Sequence, residues 1–356
     1  MHGSVIKALY LVACFLPAVS VGSSTYCWRY ESLEGGVIRI MDAAIEDKCR
    51  NDSGDLHNVR IPHEIDGKIV REIGEAAFSG NLHISTLVIG SGVICVGARA
   101  FSCCSNLVSV VMEDTSTDDR ISGVLFVGNG AFEDCINLRH IQLPRNLARI
   151  GPRAFANSGI TSIMIPTPIC NFDDSSFLNC RSLKSANIGN AGESLSVLFP
   201  GCLSLSQITV GENNRFFSVK DGMLCLKNGM SIVRHPPGKA EYKVVVPEGT
   251  TGIFPFAFEG CQSNEIVLPK GLLAIGRGAF SSCKNIKVIT IPENMVFIDD
   301  CAFLECSSLV EIVFQGGKLP TLGENVFPPS VKFKGRHITN EQRRLLEYAK
   351  DRRHNK

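Results

Sequence analysis

Apolar positions along this chain recur in a fixed order. A Gly-x-x-Ala-Phe step is followed by a Leu-x-x-Ile-x-Ile run, and the step repeats. Its phenylalanines stand at Phe78, Phe101, Phe132, Phe155, Phe177, Phe199, Phe258, Phe280, Phe303 and Phe327, mostly 22 to 24 residues apart. In runs such as Leu138-Ile141-Leu143 and Leu309-Ile312-Phe314, the last two apolar residues are two apart, which puts both on one face of a β-strand. Upstream of each phenylalanine a second apolar pair recurs, as in Val93 and Val96, Leu147 and Ile150, and Leu272 and Ile275. That pair predicts a return segment on the opposite wall. A fixed period of this length predicts a solenoid whose units contact only their neighbours, with the phenylalanines stacked between the walls. Each ring should stabilise by roughly 1.5–3 kcal/mol through burial.

Strand alternation leaves a set of positions facing outward. They are Ser109 and Val111, His140 and Gln142, Ser162 and Met164, Ser185 and Asn187, and Gln207 and Thr209, continuing through Val288, Thr290, Glu311 and Val313. These candidate ligand-facing residues are mostly small and neutral, which suits a polar protein or glycan partner better than a charged one. About ten to eleven strands at ~4.8 Å make a face roughly 50 Å long, enough for a standard protein interface.

The register breaks in three places. The copy after Phe258 is one residue short, at Asn264-Glu265-Ile266-Val267-Leu268, and predicts a local irregularity. An acidic, Ser/Thr-rich insertion, Glu113 to Arg120, predicts a longer surface loop. Between Phe199 and Phe258, Asp221-Gly222 and Asn228-Gly229 between apolar runs predict β-hairpin turns, with re-entry at Tyr242 to Pro247 as a further strand. Glycine stands four residues before six of the phenylalanines (Gly74, Gly97, Gly128, Gly151, Gly276, Gly323), and is expected there to supply a positive φ. That turn also accounts for Gly128-Asn129-Gly130 and Gly276-Arg277-Gly278, which lack the third glycine of a phosphate loop. The pairs Asp173-Asp174 and Asp299-Asp300 fall on the same turn, where aspartate commonly replaces glycine.

Composition narrows the function. A net charge of +1 with 20% charged residues lacks the basic footprint of a nucleic-acid binder. Met1 to about Ser23 has a weakly basic start, an apolar stretch from Ala8 to Val19 and small residues near Ala18-Val19-Ser20 and Val21-Gly22-Ser23, the grammar of a secretory signal peptide. An uncleaved anchor would need an apolar run of ~20 residues. No later stretch is long enough to span a bilayer. The expected product is secreted or held at the cell surface.

Fifteen cysteines in an exported chain suggest disulfides, but position argues otherwise. Cys104, Cys135, Cys180, Cys202, Cys261, Cys283 and Cys306 each stand three residues after a repeat phenylalanine. Stacking aligns them in a column whose side chains point the same way, so buried free thiols are expected. Cys27 and Cys49 lie outside the repeats and are the candidates for a disulfide, while Asn51-Asp52-Ser53 is the one N-glycosylation sequon. Thr339-Asn340-Glu341-Gln342 resembles a helix capping box ahead of Arg343-Arg344-Leu345-Leu346. The organisation is then a leader over 1–23, an N-terminal cap over 24–55, a solenoid over 56–335 with the hairpin insertion at about 213–240, and a basic helical tail over 336–356. The chain has no His-Glu-x-x-His, Cys-x-x-Cys or Gly-x-Ser-x-Gly, and the eight histidines share no ligand spacing. No catalytic residue, metal ligand or cofactor site is predicted.

The pattern Ile-Gly-x-x-Ala-Phe-x-x-Cys-x-x-Leu-x-x-Ile-x-Ile-Pro, from about Leu56 to Phe327, resembles the BspA-type leucine-rich repeats. So does the Asp-Gly-Met-Leu hairpin followed by Tyr-x-Val-x-Val-Pro. The resemblance implies a leucine-rich repeat solenoid, a right-handed parallel-β coil with loop and turn return walls and little helix. It also implies, for many members, an exported or surface protein serving adhesion. It carries over no catalytic residue. The expected function is an exported, non-catalytic module contacting protein or glycan. The alternative is a structural scaffold kept inside the secretory route or the cell.

Overall fold

The structure, a computed structural model, describes residues 19–20, 25–45, 57–114, 124–166, 171–173, 175–190, 198–335 and 338–350. Most of the expected leader, Cys49, Asn51, Asp174, residues 115–120 of the acidic insertion and the ends of the basic tail lie outside them. So does the Cys27 side chain.

The chain is a parallel β-solenoid with almost no helix. One wall carries the Leu-x-x-Ile-x-Ile runs as short strands, in groups of four, three, two and three. Neighbours are in parallel register, as where Ser109, Val110 and Val111 pair with His140, Ile141 and Gln142. Among the described residues twelve such strands run from His57–Ile61 to Lys332–Lys334. The last, carrying Val331-x-Phe333, follows Phe327 by too short a turn to be read from the repeat. The opposite wall holds the two-residue return strands, which continue two sheets of nine and seven strands begun by the longer strands Thr25–Ser32, Val37–Ile45 and Lys68–Ile73 and by the hairpin strands Phe217–Lys220, Met223–Leu226 and Ser231–Arg234.

Between the walls the rings stack as expected. Phe78, Phe101, Phe132 and Phe155 stack in turn with nearly parallel planes, their centroids 4.9, 5.3 and 5.5 Å apart. Phe258, Phe280 and Phe303 continue the series at 5.0 and 5.2 Å. The cysteines of the column are free. Their thiols are donors: Cys104 Sγ reaches the Phe78 carbonyl, Cys135 that of Phe101 and Cys306 that of Phe280, at 3.1, 3.1 and 3.0 Å. Cysteine therefore combines a small apolar body with a weak donor for the carbonyl of the preceding coil. Burial pushes the Cys225, Cys261 and Cys283 thiols upward, which keeps them protonated and able to donate.

The glycine column has a different cause from the one expected. None of Gly74, Gly97, Gly128, Gly151, Gly276 and Gly323 has a positive φ. A Cβ on Gly97 would instead lie 2.7 Å from the Gly74 carbonyl carbon, and one on Gly128 2.7 Å from the Gly97 carbonyl carbon. These glycines let successive coils touch backbone to backbone. The left-handed positions fall two residues before the phenylalanine, as at Arg99, Gly130, Arg153 and Gly278, and two after it, as at Cys103, Asp134 and Asn157. The aspartates serve the turn: Asp173 Oδ1 accepts from Ser175 N at 2.8 Å, and Asp300 Oδ1 from Glu324 N at 2.7 Å.

The hairpin insertion is not a surface appendage. Phe217–Lys220 and Met223–Leu226 pair antiparallel around Asp221-Gly222, both at positive φ, and Ser231–Arg234 pairs with the second strand. Leu224 and Val233 pack into the N-terminal apolar cluster, and Met223, Cys225 and Ile232 into the C-terminal one. The hairpin is a septum between two cores. Here the phenylalanine spine is interrupted, because His235 takes the ring position and stacks on Phe258 at 5.2 Å. Arg234, 1% exposed, donates to the Phe199 carbonyl (3.3 Å) and the Phe256 carbonyl, and lies 3.5 Å from Glu259, whose carboxylate also accepts from Gly201 N. One buried guanidinium thus joins the coils on either side of the insertion.

At the C-terminal end, a helix over Asn340–Tyr348 starts on Thr339 with a complete capping box to Gln342. It places Leu346 and Ala349 in the C-terminal core and covers the last coil.

Candidate binding face

The outward strand positions fall into two straight columns fixed by the parallel register. Ser162, Ser185 and Gln207 are aligned in one, and Met164, Asn187 and Thr209 in the other. Ser109 aligns with His140 and Val111 with Gln142 in the group before. His140, Gln142, Ser162, Met164 and Gln207 are exposed, and Ser109, Val111, Ser185, Asn187 and Thr209 half-buried. The ten positions do not form one sheet, however. The ladder stops between His140–Gln142 and Ser162–Met164.

The cause lies in the turn before the second strand. Where other coils place the leading Leu or Ile sixth after the phenylalanine, the copy Phe155-Ala156-Asn157-Ser158-Gly159-Ile160 places it fifth. Ser158 stands where cysteine is usual and bonds Cys180 Sγ at 3.4 Å. Gly159 is pressed so close to the preceding coil that a Cβ would lie 2.3 Å from the Ile136 carbonyl oxygen. The shortened turn draws the following strand off the ladder. The short copy after Phe258 also adjoins a break, but one strand later: Glu265–Val267 keeps its pairing with Lys243–Val245 and does not pair with Val288–Ile291.

At the first break the core is opened. Ile141 is half-buried, although its equivalents Val110, Ile163 and Ala186 are at most 4% exposed. A concavity of about 330 Å3 lies there, floored by Ile141, Ile163 and Ala186 and rimmed by Ser162, Met164, Ser185 and Asn187. Met164 is 69% exposed. Gln207 and Thr209 close the far side.

Charge is distributed unevenly. From Thr86 to Thr209 no outward strand position carries Asp, Glu, Lys or Arg. Towards the ends, charges neutralise each other: Arg60 with Glu113 at 2.8 Å, Lys243 with Glu265 at 2.7 Å and Lys334 with Glu311 at 2.5 Å. Among the described residues no group of three His, Cys, Asp or Glu side chains is placed to hold a metal ion, and no helix is long and apolar enough to cross a membrane.

The profile of the BspA type leucine rich repeat region matches residues 24–119, 120–220 and 241–351, with six copies. The chain belongs to this family. Among solved structures, the BspA-type chain is similar to the pneumococcal vaccine antigen PcpA, at 18% identity and a TM-score of 0.59 over 90% of this chain and 81% of that one. A leucine-rich repeat protein of Eubacterium ventriosum follows at 19% identity and a TM-score of 0.58, over 90% and 84%. A leucine rich cell surface protein of Faecalibacterium prausnitzii gives 18% and 0.51, over 94% and 98%. At these identities they establish the shared solenoid alone. No curated protein sequence matches the chain. The BspA-type repeat family is consistent with a protein-binding module.

Proposed function

We propose that the chain is an exported, non-catalytic binding module that holds a protein partner on its strand face. The observation that carries this reading is the stretch of six coils from Thr86 to Thr209, whose outward strand positions carry no Asp, Glu, Lys or Arg, while the ends of the face are charge-paired. Protein is favoured over glycan because, among the described residues, no outward strand position carries Phe, Tyr or Trp, the flat apolar surface on which a sugar ring stacks. Export rests on the leader pattern of residues 1–23. Sequencing of protein from the growth medium, with a start near Val21 or Ser24, supports it, and an intact leader on cell-retained protein favours the scaffold alternative.

The face is tested with a photo-crosslinking amino acid at His140 or Gln207, and on the return wall at Arg149 or Thr321, all exposed. Proteins of the producing cells and their medium are the bait mixture. A discrete adduct from the face sites alone supports the reading. Equal adducts from both walls, or none from the face, oppose it.

A further inference from the structure

The break in the strand ladder is a built recess, and it has neighbours that define what fits it. We infer that the cleft at Ile141 and Met164 receives one bulky apolar side chain of an extended partner peptide, with an acidic residue two positions away held at Arg139 or Lys184. This rests on the strand-face reading above and names the segment that the face would hold.

Three observations converge. The first is the exposed apolar floor. Ile141 occupies the column that is otherwise closed in every coil, so an aliphatic side chain seated on it restores the burial that the short turn removed. At about 330 Å3 the recess is at the lower end of ligand-pocket volumes, ~300–1,000 Å3, and accommodates one side chain with its adjoining backbone.

The second is the rim. Ser162, Ser185, Asn187 and Gln207 present hydroxyls and amides, which can donate to and accept from a peptide backbone, and no charged side chain lines the cleft.

The third is the row of residues at the entrance to these strands. Thr161 N donates to the Arg139 carbonyl at 3.2 Å and Lys184 N to the Thr161 carbonyl at 2.8 Å, so Arg139, Thr161 and Lys184 lie side by side on successive coils. Both cations are exposed, and among the described residues neither makes an ion pair, unlike Arg60, Lys243 and Lys334 elsewhere on the face. Arg139, just ahead of the strand His140–Gln142, precedes Ile141 by two residues, a span of at most ~7 Å. In an extended peptide, side chains two apart project to the same side at that same distance. An Asp-x-Leu step therefore matches the spacing of cation and apolar floor.

The test uses the full chain labelled with 13C at methionine methyls, the Met164 signal being assigned with Met164→Leu. The probe is the acetylated, amidated peptide Ser-Ser-Asp-Ser-Leu-Ser-Ser, with Lys replacing Asp and Ala replacing Leu as controls. Neutral malto-, cello- and chito-oligosaccharides form the glycan arm. The Met164 signal is expected to shift saturably with the Asp-Leu peptide and about fivefold more weakly with either control. Ser185→Arg, an outward residue whose replacement leaves the core intact, should weaken binding about tenfold at unchanged thermal stability. The double variant Arg139→Glu, Lys184→Glu should prefer the Lys peptide. An unmoved Met164 signal at millimolar peptide, an equal response to the Ala control or the oligosaccharides, or a charge reversal without effect would overturn the inference. Such a failure with face crosslinks still present removes the cleft and leaves the face reading standing. Absence of both removes that reading as well.

Discussion

His235→Phe restores the residue that every other spine position carries, and its effect should depend on pH. His235 N donates to the Ala257 carbonyl at 2.7 Å, as Phe258 N does to that of Ala279. The ring is 1% exposed, and neither ring nitrogen has a hydrogen-bond partner. Glu241 lies 3.8 Å away, but burial outweighs its attraction and Lys239 opposes it, so the imidazole is held down to about 4. The buried pair is therefore not an ion pair at neutral pH. Because the folded value lies below the unfolded one, near 6.5, His235 leaves stability intact above pH 6.5. Between there and about 4 the unfolded chain takes up a proton that the folded chain refuses. The loss over that interval is on the order of 3 kcal/mol, and it levels off below. Urea unfolding of both proteins from pH 7.5 to 4, at one ionic strength, isolates the effect, since other carboxylates titrate in both. The stability advantage of His235→Phe should grow by about that amount as pH falls. A constant difference, or one that shrinks towards acid pH, would refute the assignment of a neutral, desolvated imidazole to the spine.

Other changes probe the remaining parts of the coil. Phe132→Ala removes a fully buried ring stacked on both sides and should cost about 3–5 kcal/mol by chemical unfolding. Gly128→Ala should cost about 3 kcal/mol by forcing successive coils apart, more than Gly130→Ala at about 1 kcal/mol, whose penalty is its φ of +60°. The reverse order would contradict the close-approach account of the glycine column. Cys135→Ala removes the thiol donor from the Phe101 carbonyl, which keeps only the longer bond from Cys104 N at 3.4 Å, and should cost about 1 kcal/mol, with Cys135→Ser milder because Ser158 already fills the equivalent place one coil on. Thr339→Ala should lower stability by about 1 kcal/mol through loss of the helix cap.

What the sequence made legible follows from how a coil is built. The phenylalanine spine, the cysteine column and the inward strand residues repeat at one spacing, so periodicity alone places them. The glycines were placed correctly but for the wrong reason, because a steric contact between coils leaves the same trace as a backbone that needs positive φ. His235 does not show in a pattern defined by phenylalanine alone. Counting 23 residues back from Phe258, or 12 back from Pro247, would have found it. The cleft depends on one absent residue in the Phe155 turn, the same defect that is visible after Phe258, and on the strand displacement that follows. The spacing shows the omission, but only the three-dimensional ladder shows that it opens the core at Ile141. Arg234 was hidden for another reason: its partners, the Phe199 and Phe256 carbonyls and Glu259, come together only across the two cores.

A partner held on the middle of the strand face should protect its strands and leave the return wall untouched. Backbone hydrogen exchange of the chain, alone and with the protein captured by the face crosslinks, tests it most directly. Slowed exchange should appear in Ser162–Met164, Ser185–Asn187 and Gln207–Thr209 and be absent from the return strands Arg149–Ile150 and Thr321–Leu322. Protection confined to the return wall or to the C-terminal helix, with the face unchanged, would contradict the account.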